Sequence, residues 1–125
     1  MAKGTILIAE DDAALRNLYM KKFGLAGFDL KTCEDGEQCL IELQSHSPDV
    51  LILDVHMPKM DGMTVLEHLP KEKRSYPVIV LTNFDDAKVR ERGRQLAVDD
   101  FFVKKDMTIR KLVEMVEAVL AKRQR

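Results

Sequence analysis

Four short apolar runs in this chain each end in residues able to do chemistry. Thr5-Ile6-Leu7-Ile8-Ala9 runs into Glu10-Asp11-Asp12, and Leu51-Ile52-Leu53 runs into Asp54. Val78-Ile79-Val80-Leu81 ends in Thr82, and Phe101-Phe102-Val103 ends in Lys104. Brought to one place, Glu10, Asp11 and Asp54 repel one another and raise each other's pKa values unless a divalent cation joins them. Hard oxygen ligands that leave room for water and a phosphoryl group favour Mg²⁺. An aspartate in such a place is a nucleophile, and a hydroxyl and an ammonium can bind the other oxygens of a phosphoryl group on it. Asp54, Thr82 and Lys104 supply those three roles. Taken singly, each has a plainer explanation: Asp54 can cap the turn after its strand, and Asp12 can be first-turn charge on the next helix. Four run ends carrying the whole set outweigh the single explanations.

The elements that position these residues follow from periodicity. An unbroken apolar run between turn signals is a strand buried on both faces. Phe28 to Cys33 is a weaker strand, interrupted by Asp29 and Lys31, which suits a sheet edge. Between the runs lie helical patterns. Leu15, Leu18, Tyr19 and Phe23 share a face, punctuated by Gly24 and Gly27. Asp35 with Gln38 resembles a capping box ahead of Cys39, Leu40 and Leu43. Met63, Leu66 and Leu69 give a short helix that Pro70 stops. A fourth helix from near Asp85-Asp86 is poorly patterned, with Val89 and Leu96 apolar, Gly93 inside, and Arg90, Arg92 and Arg94 crowding it. Asp106 is expected to cap the last and best helix, with Ile109, Leu112, Val113, Val116, Val119 and Leu120 on one side. Five strands alternating with five helices predict an α/β fold, a parallel sheet covered on both faces. Its ligand crevice lies at the carboxyl ends of the strands, at the topological switch point.

Composition narrows the classes. A chain of 125 residues is expected to form a single domain over residues 1–125. Lys and Arg number 20 against 21 Asp and Glu, which excludes nucleic-acid binding by bulk charge. No apolar run reaches membrane-spanning length, so no membrane partner is expected. Cys33 and Cys39 have neither metal-finger nor redox spacing and no signal peptide precedes them, so they read as reduced thiols in a cytoplasmic chain. His46 and His68 read as surface residues. Met57, Met60 and Met63 read as packing against the sheet.

The sequence resembles the receiver domain of two-component response regulators, over about Thr5 to Leu120. Ile6-Leu7-Ile8-Ala9-Glu10-Asp11-Asp12 with Arg16 is similar to the family's acidic motif, which registers Glu10 and Asp11 as the acid pair. Asp54 in Asp54-Val55-His56-Met57-Pro58-Lys59-Met60-Asp61-Gly62 is similar to the phosphorylated aspartate and its loop. Thr82 matches the switch hydroxyl, Phe101 the switch aromatic and Lys104 the lysine. The resemblance implies a flavodoxin-like (βα)5 fold with strand order 2-1-3-4-5. It implies Mg²⁺ held by Asp11, Asp54 and the His56 backbone carbonyl, with Glu10 acting through water. It implies a phosphoryl donor that is a histidine kinase or phosphotransfer protein, and a self-phosphorylating, self-dephosphorylating switch rather than a classical enzyme. Output is then expected through helix 4, strand 5 and helix 5 onto a downstream protein or a second copy, without direct contact to nucleic acid.

Three positions depart from that pattern. Lys105 stands where the family usually has a proline after the lysine, and is expected to point outward as a solvated charge. The Lys104–Lys105 peptide is expected trans, because a non-proline cis bond costs about 2.5–4 kcal/mol. Asn83 stands where a small residue is usual, and Phe101 lacks a tyrosine hydroxyl. The competing reading is a haloacid-dehalogenase-like phosphohydrolase, which also uses a strand-end aspartate and Mg²⁺. That class resembles Asp-x-Asp, whereas His56 stands two beyond Asp54, and the chain has no cap insertion.

Overall fold

The computed structural model describes residues 2–123. The apolar runs become strands β1 (Thr5–Ala9), β3 (Val50–Asp54), β4 (Val78–Thr82) and β5 (Asp100–Val103), with β2 (Asp29–Cys33) as the weaker fifth. The helices are α1 (Ala13–Leu25), α2 (Gly36–Ser45), α3 (Gly62–Glu67), α4 (Ala87–Gln95) and α5 (Ile109–Arg123). A 3-10 turn at Lys71–Lys73 follows Pro70. All strand pairs are parallel, and the order is β2-β1-β3-β4-β5, as the resemblance implied. That order leaves β2 and β5 as edges, which explains why β2 alternates exposed and half-buried residues up to its buried last residue, Cys33, while β3 and β4 are buried at all five positions.

Side chains alternate across the pleat into two cores. Ile6, Ile8, Ile52, Ile79, Leu81 and Phe102 face α1 and α5. Leu7, Leu51, Leu53, Val78 and Val80 face α2 and α3, with the outer residues of α4 at the margin. Each fully buried aliphatic side chain contributes roughly 1.5–3 kcal/mol, so the two central strands carry the largest share of the stability. Met57, Met60 and Met63 pack on the second core, as expected.

The helix starts are encoded locally. Asp12, Asp35, Asp61 and Asp86 are N-caps whose carboxylates accept from Leu15, Gln38, Thr64 and Lys88 N–H groups. Gln38 completes its box one residue earlier than expected, its Oε1 accepting from Glu34 N–H at 2.6 Å. The last helix corrects the expectation. Asp106 lies in a turn whose N–H donates to Val103 O, and Thr108 Oγ1 accepts from Lys111 N–H at 3.2 Å. Thr108, directly before Ile109, takes the capping geometry that Asp106 is too early to reach. Leu18, expected in the core, is 38% exposed, because α1 turns only Tyr19 and Phe23 fully inward.

Candidate functional site

The register of the sheet sets the chemistry in a row. Ala9 pairs with Leu53, Asp54 with Leu81 and Thr82 with Val103. Glu10, Asp54, Thr82 and Lys104 therefore leave adjacent strands at one edge. The ladder runs one residue further: Glu10 N–H donates to Cys33 O at 3.0 Å, Val55 N–H to Leu81 O at 3.0 Å and Lys104 N–H to Thr82 O at 2.8 Å. These bonds hold the backbone from which each side chain projects. Glu10 is 0% exposed, Asp54 2% and Thr82 5%, while Asp11 reaches solvent.

Buried carboxylates persist only with compensation. Lys104 provides part of it. Its Nζ donates to Asp54 Oδ2 at 2.6 Å and lies 2.6 Å from Glu10 Oε1. The ammonium is aimed at Asp54, so Glu10 Oε1 gains a nearby charge but no aligned hydrogen bond. Burial, and then hydrogen bonding to Asp54, push the Glu10 carboxyl from the usual 4.5 up to about 8. Burial pulls the Lys104 pKa down, but the hydrogen bond to Asp54 and the adjacent Glu10 carboxylate outweigh it and hold it above the ordinary value.

The cluster remains short of positive charge. Carboxylate oxygens of Glu10, Asp11 and Asp54 lie within 4.8 Å of one another, with one ammonium among them. An all-oxygen donor set, net negative charge and an orphaned buried oxygen fit a hard divalent cation such as Mg²⁺. Asp11, His56, Met57, Pro58 and Asp61 line the opening of the cluster to solvent. The His56 imidazole is exposed, and its backbone N–H donates to Asp54 Oδ1 at 3.2 Å.

Two glycines let the loop after β3 pack closely, Gly62 against the strand and Gly36 of α2 against the loop. A Cβ on Gly62 would lie 2.3 Å from Asp54 O, and one on Gly36 would lie 2.2 Å from Met60 O. Gly62 N–H donates to Val55 O at 2.9 Å, folding the loop back beside the site. Asp61-Gly62 was visible in the sequence as part of a motif, but the close approach required tertiary contacts that spacing does not reveal.

Thr82 and Phe101 lie on the neighbouring strands β4 and β5. The Thr82 hydroxyl donates to Phe84 O at 3.0 Å, so it is engaged by the β4–α4 loop. The Phe101 ring occupies the notch at Gly93, where a Cβ would lie 2.3 Å from Phe101 Cζ, and the Arg90 guanidinium covers the ring at 5.2 Å. Gly93 is thus a seat for the aromatic and not only a flaw in the helix. Lys105 is exposed as expected, but it is not simply solvated, since its Nζ lies over the exposed Phe84 ring at 5.4 Å. Asn83 is exposed rather than turned into the cluster's interior, and the described residues contain no cis peptide.

Comparison with known proteins agrees with this geometry. The response regulator receiver domain family matches residues 6–117. A probable transcriptional regulator ycf27 of Guillardia theta is 35% identical over 94% of this chain and 46% of its own length. The alkaline phosphatase synthesis transcriptional regulatory protein PhoP of Bacillus subtilis is 31% identical over 92% of this chain and 48% of its own. The chain thus spans about half the length of the curated relatives it matches. Among solved structures, a Francisella response regulator receiver domain superposes with TM-score 0.89 at 28% identity, covering 98% of this chain and 100% of that one. A DNA-binding response regulator of the LuxR family from Staphylococcus aureus gives 0.86 at 29%, covering 94% and 98%. None of these similarities supports the dehalogenase-like alternative, and the position two beyond Asp54 holds an exposed imidazole instead of a second acid. This chain belongs to the response regulator receiver domain family, a signalling domain of two-component systems.

Proposed function

We propose that Asp54 accepts a phosphoryl group from a phosphohistidine, carried by a histidine kinase or a phosphotransfer protein, in the cytoplasm. The observation that carries this reading is the convergence of Asp54, Lys104, Glu10 and Asp11 at one sheet edge. An Asp54 carboxylate oxygen attacks phosphorus, the P–N bond breaks, and the electron pair leaves with the imidazole nitrogen. Lys104, already 2.6 Å from Asp54 Oδ2, turns its charge to the phosphoryl oxygens. His56 N–H holds the carboxylate in its plane from the other oxygen. Asp11, Asp54 and the His56 carbonyl would hold Mg²⁺, with Glu10 acting through water. The cation supplies charge neutralisation of the transferring group.

Thr82 links this chemistry to the surface. To reach a phosphoryl group on Asp54, its hydroxyl must leave Phe84 O, which frees the loop that leads into α4. The signal is then read from the face of α4, β5 and α5 by a downstream protein or a second copy of the chain. The test uses acetyl phosphate as donor with Mg²⁺ and intact-mass detection. One acid-labile phosphoryl group is expected on the parent and none on Asp54→Asn. Equal labelling of both proteins would remove Asp54 from its role.

A further inference from the structure

Arg16 sits in the first turns of α1 with its guanidinium turned back onto the acidic loop. A single nitrogen, Nη1, donates to Glu10 O at 2.8 Å and to Asp11 O at 2.9 Å. Nη2 lies 3.5 Å from Glu34 Oε1, and the side chain is only 15% exposed. The guanidinium therefore binds the main chain that carries the acids and leaves their carboxylates free. Two successive carbonyls that converge on one donor must point to the same side, which fixes the peptide between them. That peptide sets the direction in which the Asp11 side chain leaves the backbone. The mount is rigid, because Arg16 N–H donates to Asp12 O at 2.9 Å and Asp12 caps α1 through Leu15 N–H at 3.1 Å. Asp12 N–H in turn lies 3.3 Å from Glu10 Oε2, tying the same loop to a carboxylate of the cluster.

We propose that Arg16 is the positioning residue of the cation site, holding the Glu10–Asp11 main chain so that both carboxylates converge with Asp54. It sets affinity for the divalent ion and takes no part in the phosphoryl transfer. The inference rests on the Mg²⁺ reading given above. Groups that orient ligands without touching the metal typically change its affinity by about 10–100-fold when removed. Lysine can replace the charge, but it lacks the planar fork that reaches Glu34 while one nitrogen spans two carbonyls.

The experiment titrates the parent, Arg16→Met and Arg16→Lys with Mg²⁺, following amide chemical shifts and the metal dependence of the unfolding temperature. Arg16→Met should raise the Mg²⁺ Kd by about tenfold, the lower end of that range, with Arg16→Lys between it and the parent. Acetyl phosphate labelling at saturating Mg²⁺ should return to the parent's rate in both variants, a split that a general loss of structure would not produce. Parent-like Mg²⁺ affinity in folded Arg16→Met overturns the proposal, as does a labelling defect that saturating Mg²⁺ leaves in place. If Arg16→Met does not fold, Arg16→Lys decides, and parent-like affinity there overturns it equally. A parent that binds no Mg²⁺ overturns the cation reading itself, and this inference with it.

Discussion

Helices α4 and α5 border opposite faces of β5, yet α5 buries Leu112, Met115, Val116 and Val119 while α4 buries only Gly93. Val89 packs only at the margin of the second core, and the exposed surface of α4 carries ion pairs, of which, among the described residues, Arg92 to Glu67 alone reaches another helix. Arg90 pairs with Asp85 at 2.5 Å, Arg92 with Glu67 at 2.5 Å and Arg94 with Glu91 at 2.6 Å. Exposed pairs of this kind contribute roughly 0–1 kcal/mol each. The firm attachment of α4 is at its C-terminal end, where Arg74 donates to Leu96 O at 3.0 Å, to Ala97 O at 2.5 Å and to Leu69 O at 3.0 Å. Its N-terminal end leads back through an exposed loop to Phe84 and the Thr82 hydroxyl. One helix is therefore part of the core. The other is fastened mainly at its C-terminal end and has few buried contacts along its length.

The comparison breaks most visibly under core truncation. Leu112→Ala should cost about 3 kcal/mol through a lost contact and a cavity, whereas Val89→Ala, at the margin of its core, should cost less than about 1 kcal/mol. Urea unfolding of the two variants measures the gap, and equal losses would mean that α4 is as deeply anchored as α5.

Gly93→Ala comes next. The new methyl would stand 2.3 Å from Phe101 Cζ, so the ring must leave its seat. Overpacking of about 1–3 kcal/mol is offset by roughly 1 kcal/mol of helix propensity, leaving a net loss of about 1 kcal/mol. The sharper readout is the Phe101 ring resonances, which should move while those of Phe102 stay. Arg94→Ala should change stability by less than about 0.5 kcal/mol, because its partner Glu91 lies on the same exposed helix surface.

The smallest expected difference between the helices is in pH dependence, where there should be none. Glu10 binds its proton more tightly in the folded state, about 8 against the usual 4.5. In metal-free protein this contribution to stability is fully present below about 4.5 and is lost as pH rises through about 8. Leu112→Ala and Arg94→Ala should both keep the parent's slope across that window. A slope that changes with either substitution would place its origin outside the Glu10 cluster.

Much of this architecture was legible in the chain, for identifiable reasons. Short apolar runs such as Leu51-Ile52-Leu53, bounded by turn signals, read as strands covered on both sides, and parallel strands bring their ends to one edge. That Glu10, Asp54, Thr82 and Lys104 stand at one edge of the sheet therefore followed from periodicity, and their convergence followed once the first and third strands were taken as neighbours. Strand order came only through resemblance, since nothing in an isolated run says which neighbour it takes. What remained hidden depends on side-chain paths. The backbone grip of Arg16, the seat that Gly93 makes for Phe101 and the clamp of Arg74 join residues whose spacing carries no repeat. The cap of α5 was misplaced for a related reason. Asp106 and Thr108 are both good capping residues, and the turn after Val103 uses Asp106 first.

The central claim is that occupation of Asp54 is transmitted to the α4 side of β5 while α5 stays in the core. Amide chemical shifts of the Mg²⁺-bound protein, with and without the phosphoryl mimic beryllofluoride, test it directly. The account predicts large changes at Asp54, Thr82, Phe84 and through Ala87–Gln95 to Phe101, with Leu112, Val116 and Val119 nearly unmoved. Changes confined to the acidic crevice and to α1 and α2, leaving α4 and Phe101 untouched, would contradict it.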